Sequence, residues 1–347
     1  REDRRLGNGL ALLVNHGDLA ARVVRAVPET RKEDLIHFDV PDPTLRLGYN
    51  PLRGVPAARR SLAASGMLEA FKKLWWDSWG PRLEHILRNA ILALLEQPEP
   101  TLADILRLLD DRAFRRRAAG RVSNARVRDF WLREFEGYTA RLRSEAIAPV
   151  QNKVGAFLAD PVLQRVLTEA PEPIDLRASM DGGKILVVNL AKGRLGEDAS
   201  SLLGSLLVSG IGVAALGRAD VPERERRDFF VYLDEFQGFT TLSLTGMLSE
   251  LRKYRVGLVL AHQYLTQLDE RLRDAILGNV GTIVCFRLGL ADAEILAREF
   301  WPEFRARDLV SLPNHEIYLR LMVDGKVGRG FSARVTGARE SPPGCSR

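Results

Sequence analysis

Apolar runs separated by polar segments mark the carboxyl-terminal half of this sequence. Residues 229–233 are wholly apolar and end in two adjacent carboxylates, Asp234 and Glu235. A second apolar run, 256–261, is followed after one residue by Gln263. A strand that is apolar on both faces lies inside a covered parallel sheet, and ligands bind beyond the carboxyl ends of such strands. The pattern therefore predicts two buried parallel strands that bring polar side chains to one edge.

The two carboxylates suit the metal chemistry of nucleotide hydrolysis. Phosphoryl transfer needs one carboxylate to hold Mg²⁺ through its water shell and a second to orient or deprotonate the attacking water. Asp234 suits the first role, as the ligand of the metal and its nucleotide, and Glu235 suits the second, as the catalytic base. The alternative is a plain surface turn after a buried strand, because Asp-Glu pairs are common.

The neighbouring segments add a cation and an amide. Residues 247–255 predict a helix whose basic residues include Arg252. The side-chain amide of Gln263 could bond both a γ-phosphate and the attacking water, so Gln263 is a further catalytic candidate. Alternatively, Gln263 caps the helix that the pattern predicts over 265–277.

The middle of the chain changes from strands to helices. Apolar runs at 9–14, at 34–38 and after Lys184 predict further strands. The pattern over residues 66–167 predicts helices almost throughout. The sequence thus predicts an α/β fold, in which a mostly parallel sheet flanked by helices is interrupted by an all-α domain. The predicted segments are a first part of the core at 1–57, the all-α insertion at 58–170, the main core at 171–335 and a disordered tail at 336–347.

The longest uncharged stretch, 199–217, touches the lower length limit for a membrane span. Its several serines and glycines suit a helix that packs against a sheet. We therefore expect a buried helix of the core at this place.

These motifs, in this order, resemble those of conjugative-transfer coupling ATPases, the TraG/TraD-like branch of the RecA-like superfamily of hexameric motors. The resemblance covers roughly residues 9 to 335, and it implies a RecA-like P-loop NTPase core with an inserted all-α domain. The similar segments are HGD at 16–18, WDSWGPRLEHILRNAILALLE from Trp76, TLADILRLLDD at 101–111, IAPVQNKVGAFLADP at 147–161, GKILVVNLAKGRLGEDASSLLGSLL at 183–207, LDEF at 233–236, SELRKYRVGL at 249–258, LAHQYLTQLDERLRDAILGNVGT at 260–282, VCFRLG at 284–289 and LVSLPNHEIYLRL at 309–321.

The resemblance implies an ATPase that acts as a homohexamer and pumps DNA, or a relaxase–DNA complex, toward a type IV secretion channel. ATP and Mg²⁺ are the implied cofactors. DNA contacted through its backbone, relaxosome proteins and the channel are the implied partners. The implied location is the cytoplasmic face of the inner membrane. Two other functions stay open: a HerA/FtsK-like DNA motor in repair or segregation, and a non-hydrolysing adaptor that docks DNA-processing proteins.

Arg252 resembles the arginine finger of the family, which reaches the γ-phosphate of the neighbouring subunit. Lys253 and Arg255 are the other candidates for that role. The plainer interpretation of Arg252 is a surface ion pair with Glu250 or Glu270.

A phosphate-cradling loop requires a Gly-rich turn that ends in Gly-Lys-Ser/Thr before a helix. The two Gly-Lys pairs of the chain, at 183–184 and 325–326, continue into Ile185 and Val327, and both predict hairpin turns. In the family this loop lies upstream of the strand matched at 9–14. Because the chain begins with an arginine, the sequence predicts an amino-terminal truncation and weak ATP binding by the chain as it stands.

The composition fits a large domain of a reducing compartment. With 347 residues, of which 46% are hydrophobic, the chain can bury a substantial core. Its two cysteines exclude a disulfide framework, and Cys285 is expected to be a small core residue. The five histidines are scattered along the chain, so no zinc site is expected.

The net charge of +6 is in the direction expected of a nucleic-acid motor. Arginines crowd one part of the predicted insertion. They are Arg112, Arg115, Arg116, Arg117, Arg121, Arg126 and Arg128. This cluster either meets DNA phosphates or an acidic protein, or forms solvated faces that pair with nearby acids. Trp75, Trp76 and Trp79 are expected to pack in the core of the insertion.

Overall fold

The computed structural model describes residues 7–241 and 243–335, which form two compact units divided between His262 and Gln263. The tail predicted at 336–347, which contains Cys345, lies outside the described residues. The predicted segments 1–57, 58–170 and 171–335 stay predictions. The division between the two compact units falls at none of their boundaries.

A five-stranded parallel sheet forms the centre of the first unit. The strands of this unit are β1 (Gly9–Val14), β2 (Leu35–Asp39), β3 (Leu47–Gly48), β4 (Glu172–Pro173), β5 (Ile185–Asn189), β6 (Phe229–Asp234) and β7 (Val256–Ala261). The central sheet has the order β2-β5-β1-β6-β7 with every neighbouring pair parallel, and β3 pairs separately with β4. As the apolar run predicts, β6 is an interior strand, because β1 and β7 flank it.

Helices surround this sheet and fill the insertion. They are α1 (Gly17–Arg25), α2 (Arg60–Leu74), α3 (Pro81–Leu94), α4 (Asp104–Asp110), α5 (Arg112–Arg121), α6 (Ala125–Asp129), α7 (Ala140–Ala159), α8 (Pro161–Gln164), α9 (Leu176–Asp181), α10 (Lys192–Leu195), α11 (Glu197–Gly217) and α12 (Ser243–Glu250). Two short π-helical turns, Phe130–Glu134 and Arg165–Glu169, extend α6 and α8.

The predicted helical segment is present, and together with the short strands β3 and β4 it lies between two neighbouring strands of the sheet. β2 and β5 pair in parallel, yet α2 to α9 lie between them in the chain. The helix α3 shows why these residues become helical. Its buried residues recur three and four apart, and Pro81 occupies its first turn, where a missing N–H is tolerated.

Three tryptophans were expected in the core of the insertion. Trp75 stacks on Phe71 with ring centroids 5.1 Å apart, and the Trp79 indole donates to Glu84 at 2.8 Å. The expectation is wrong for Trp76, which is 78% exposed because it lies in the short turn that joins α2 to α3.

The helix α11 is buried, as its serines and glycines predict. Among the described residues, this helix with its following turn is the one segment long and apolar enough to cross a membrane, and most of it is covered by the rest of the structure. Glycines allow close packing at this helix. A Cβ atom on Gly66 of α2 would lie 1.9 Å from Ser209 Oγ of α11, and one on Gly204 would lie 2.3 Å from the Phe239 ring.

The second unit is a small antiparallel sheet with short helices. Its elements are α13 (Glu270–Asn279), β8 (Ile283–Cys285), α14 (Leu290–Leu296), α15 (Ala306–Val310), β9 (Glu316–Arg320), β10 (Met322–Val323), β11 (Lys326–Val327) and β12 (Phe331–Arg334). The sheet order is β12-β9-β8, and β10 and β11 form a hairpin. Cys285 is buried as expected, and burial raises the pKa of its thiol to about 12.

The two Gly-Lys pairs form different turns. Asp324 and Gly325 join β10 to β11, so the hairpin predicted at 325–326 is confirmed. The hairpin predicted at 183–184 is wrong, because the preceding element is the helix α9 and the following strand β5 pairs only in parallel.

Candidate functional site

Asp234 and Glu235 lie at the carboxyl edge of the central sheet. Asp234 is the last residue of β6, paired in register with Ala261 of β7. Glu235 follows in the left-handed region of the backbone, with φ of 52°. A residue with a Cβ atom adopts this conformation at a cost of about 1 kcal/mol or more, so the surrounding structure must hold it there. The chain thus turns sharply at the point where the sequence places the two acids.

The electrostatic environment of Asp234 favours a cation. Burial raises the pKa of its carboxyl group above the ordinary value, and the negative charge of Glu235 raises it further. The nearby His16, which follows β1, acts in the opposite direction. A positive ion beside Asp234 would relieve both the burial of its charge and its repulsion from Glu235.

A short turn holds Glu235. The 3₁₀ turn Phe236–Gly238 follows it directly, and the Gly238 amide donates to the Glu235 carbonyl at 3.0 Å. The Gln237 side-chain amide donates to Glu235 Oε2 at 2.7 Å. Phe236 is fully buried and meets the His262 ring edge-on at 4.9 Å between centroids. The buried ring anchors the turn while the carboxylate remains at the edge of the sheet.

Further polar side chains lie at the same sheet edge, and the sequence reasoning missed them. The Asn189 amide at the end of β5 donates to Asp39 of β2 at 2.7 Å. Asn15, directly after β1, is buried and accepts from Ser200 Oγ at 2.9 Å. The signal that identifies Asp234 also marks these residues, since each ends or follows an apolar strand. Polar groups therefore line the ends of β1, β2, β5 and β6.

Arg252 lies near the amino-terminal ends of the parallel strands, whereas Asp234 lies at the carboxyl-terminal end of β6. It belongs to the 3₁₀ turn Leu251–Tyr254, just before β7 begins, and it is exposed. Within the described part of the chain its side chain makes no hydrogen bond or ion pair, whereas Lys253 pairs with Glu250 at 3.1 Å and Arg255 with Asp228 at 3.1 Å. The structure therefore separates Arg252 from Asp234 within one chain, and of the three basic candidates Arg252 is the one without an acidic partner.

Gln263 is exposed and is the first residue of the second unit. The alternative that Gln263 caps the following helix is wrong. The helix α13 begins at Glu270, and the Asp269 side chain caps it by accepting from the Arg271 amide. The residues just after Gln263 are fixed instead by the buried Asp292 carboxylate, which accepts from the amides of Leu265 and Thr266 at 3.1 and 3.3 Å.

The residues at the edge of β6 fit Mg²⁺ held together with a nucleotide. Across the described residues, no group of three or more His, Cys, Asp or Glu side chains could hold a metal ion alone. Mg²⁺ keeps several waters and is commonly bound by one or two carboxylates together with substrate phosphates. Asp234, with its raised pKa, is a carboxylate of the kind that this mode needs.

A known family model matches the part of the chain that contains the two acids. Residues 228–300 match the family model described as the TraM recognition site of TraD and TraG. The predicted resemblance to coupling ATPases of the TraG/TraD type is confirmed. The segment that matches the TraG/TraD-type model begins one residue before β6, and so it contains Asp234, Glu235, Arg252 and Gln263.

Solved structures share the fold of this chain. The plasmid coupling protein TrwB in complex with ADP and Mg²⁺ aligns with a TM-score of 0.69 and 14% identity, over 99% of this chain and 82% of that one. The coupling protein TrwBdeltaN70 in an unbound form gives 0.65 and 13%, over 96% and 79%. VirB4 of Thermoanaerobacter pseudethanolicus gives 0.63 and 15%, over 97% and 84%. No curated protein matches the sequence significantly. The predicted α/β fold, a mostly parallel central sheet flanked by helices, is thereby confirmed.

Proposed function

We propose that this protein is an ATP-driven coupling motor of conjugation, which delivers DNA or a relaxase–DNA complex to a type IV secretion channel. The observation that carries the proposal is the pair Asp234 and Glu235 at the carboxyl end of an interior parallel strand, inside the segment that matches the TraG/TraD-type family model. Such an edge is where nucleotides bind in open α/β sheets.

The two acids divide the chemistry between them. Asp234 would hold Mg²⁺, and bound Mg²⁺ would neutralise charge on the phosphates. Glu235 orients the attacking water and accepts its proton, while the Gln237 amide, which donates to Glu235 Oε2 at 2.7 Å, fixes the orientation of the carboxylate. Gln263 is proposed to contact the γ-phosphate and the same water.

Charge and exposure support the proposed assembly and partners. Arg252 is exposed and lacks an acidic partner within the described residues, as an arginine that serves a neighbouring subunit of a homohexamer would be. The net charge of +6 favours a polyanion such as the DNA backbone, through counterion release. We place the motor at the cytoplasmic face of the inner membrane, next to the relaxosome and the channel.

The structure divides the arginine-rich cluster of the insertion into two groups. Arg115 is buried and donates to Glu136, and Arg112 also pairs with this acid at 2.9 Å. Arg121 and Arg126 are exposed and form no ion pair within the described part of the chain. We propose that exposed members such as these, and not Arg115, contact DNA phosphates.

The test of the catalytic assignment uses substitutions of the two acids. Because no Gly-Lys-Ser/Thr motif occurs in the sequence, the substitutions are made in a chimera that carries the phosphate loop of a TrwB-like protein before Gly9. Glu235→Gln should bind ATP normally and lower kcat by about 10² or more, because it keeps the shape but loses the base. Asp234→Ala should instead weaken Mg²⁺-dependent ATP binding, measured by calorimetry.

Asp228→Asn is the matched control, because Asp228 precedes the other end of β6 and pairs with Arg255. It should leave both ATP binding and turnover nearly unchanged. The 347-residue chain without the added loop should bind ATP weakly. Near-normal turnover in Glu235→Gln would remove that residue from catalysis, and DNA binding by a chimera that never hydrolyses ATP would favour the docking adaptor instead.

A further inference from the structure

A lysine of the insertion is bonded to the turn that follows the candidate catalytic base. Lys73 is the last residue but one of α2, the first long helix of the insertion. Its ammonium donates to the carbonyls of Gln237 and Gly238, both at 2.8 Å. Burial lowers the pKa of Lys73 to about 8, so the ammonium form has lost most of its contact with water.

These two carbonyls belong to the turn that fixes Glu235. Gln237 gives its carbonyl to Lys73 and its side-chain amide to Glu235 Oε2, at 2.8 and 2.7 Å. The Gly238 amide, on the next residue, donates to the Glu235 carbonyl at 3.0 Å. One residue, Gln237, therefore lies between the ammonium of Lys73 and the carboxylate of Glu235.

The helix α2, which carries Lys73, packs closely against the core helix α11. A Cβ atom on Gly66 would lie 1.9 Å from Ser209 Oγ, so the backbone of α2 at Gly66 lies against the Ser209 side chain of α11. From α11, the Ser201 hydroxyl donates to the same Gly238 carbonyl at 2.6 Å. The Gly238 carbonyl is thus held from two helices, one in the insertion and one in the core.

We propose that Lys73 is a positioning residue through which the insertion holds the Glu235 carboxylate in place. Its catalytic consequence rests on the proposed function. Loss of the Lys73 contacts would loosen the Phe236–Gly238 turn and misalign the base.

The direct test is hydrogen exchange of the backbone amides of Gly238, Phe239 and Thr240 in the 347-residue chain, without nucleotide. Their N–H groups close the turn onto the carbonyls of Glu235 and Phe236. Lys73→Met removes two charge-assisted hydrogen bonds, so these amides should exchange about tenfold faster or more. Lys73→Arg should restore part of the protection.

Lys72→Met is the matched control, because Lys72 is the exposed neighbour on the same helix. It should leave exchange in the turn unchanged. Unchanged exchange in a folded Lys73→Met protein would overturn the proposal. If Lys73→Met does not fold, by circular dichroism, the same measurement on Lys73→Gln decides, because its amide keeps two donors but no charge and should loosen the turn to a smaller extent.

The second arm measures turnover in the chimera with the added phosphate loop. Lys73→Met should lower kcat about tenfold while KM stays unchanged, and Lys73→Arg should recover part of it. Unchanged kcat in a protein whose turn has loosened would overturn the positioning role. An inactive wild-type chimera would count against the proposed function alone, since the exchange experiment would still show whether Lys73 holds the turn.

Discussion

At the carboxyl end of β6, burial and the neighbouring charge of Glu235 both raise the pKa of Asp234. The folded protein therefore holds a proton on Asp234 more tightly than the unfolded chain does. The stabilisation that this proton provides is present at low pH and is lost as the pH rises through the raised pKa. At neutral pH the ionised Asp234 carboxylate destabilises the fold, because it is partly buried and lies near Glu235. A bound cation would offset both effects.

Asp234→Asn should therefore stabilise the protein at pH 7, because it removes a partly desolvated charge beside Glu235. We expect the melting temperature to rise by about 1–3 °C, and the gain to shrink toward pH 4. Scanning calorimetry without Mg²⁺ or nucleotide measures the change. Asp228→Asn, which loses an exposed pair with Arg255, is the control and should bring no gain. A lower melting temperature for Asp234→Asn would show that its charge is compensated in the fold.

Residues of the site differ in how far the sequence reveals them. Asp234 and Glu235 could be predicted, because a wholly apolar run that ends in two acids is a local pattern. Lys73 and Gln237 could not. Their roles depend on a contact between residues 164 positions apart, made only when α2 packs beside the turn after β6. Arg252 could be proposed only through the family resemblance.

At the scale of elements, the packing of α2 on α11 depends on a glycine. Gly66→Ala would place a methyl group 1.9 Å from Ser209 Oγ and 3.1 Å from Ser209 Cβ, so the hydroxyl must rotate away and α2 and α11 must still shift slightly. We expect a loss of about 1–3 kcal/mol in the free energy of unfolding, because overpacking forces side chains and backbone to shift. Urea denaturation measures this loss, and adding Ser209→Gly should recover part of it.

Gly155→Ala is the control for this prediction, because Gly155 lies inside α7 with nothing within 4 Å of the added methyl group. It should be neutral or stabilise the protein by about 0.5–1 kcal/mol, since alanine is the better helix former. Equal effects of the two substitutions would mean that α2 and α11 have room to adjust.

Elements with a strong period were predicted well, and short elements were not. The helix α3 follows its apolar spacing closely. The helix α9, of six residues, is too short to show a period, and so the Gly183 turn after it was mistaken for a hairpin. The helix predicted over 265–277 begins only at Glu270, because Asp292 holds Leu265 and Thr266 in a separate turn and Asp269 provides the cap.

At the scale of the assembly, the proposed homohexamer would share each catalytic site between two subunits, and substitution of Arg252 tests this proposal. In the chimera with the added phosphate loop, Arg252→Ala should lower turnover by about 10³ or more and leave ATP binding nearly intact, as expected of an arginine that stabilises the transition state. Hexamers that mix Arg252→Ala with Glu235→Gln should regain activity, because some interfaces then join an intact acid to an intact arginine. ATPase assays on mixed assemblies check this.

Lys253→Ala is the control, since Lys253 pairs with Glu250 on its own helix turn. It should keep most of the activity. Unaltered turnover in Arg252→Ala, or mixed hexamers that stay inactive, would exclude Arg252 from the catalytic site of a neighbouring subunit.

The position of the insertion also affects how the chain folds. Roughly 145 residues separate Asp39 from Ile185, although β2 and β5 are neighbours in the sheet. Loop-closure entropy grows only logarithmically, so bringing these strands together costs about 2 kcal/mol more than across a ten-residue connection. Lengthening or shortening the segment between β2 and β5 by tens of residues would change this closure free energy by only about a few tenths of a kcal/mol. The local contacts of the insertion can form early, whereas the β2–β5 pairing, of high contact order, is a slow step that completes the sheet.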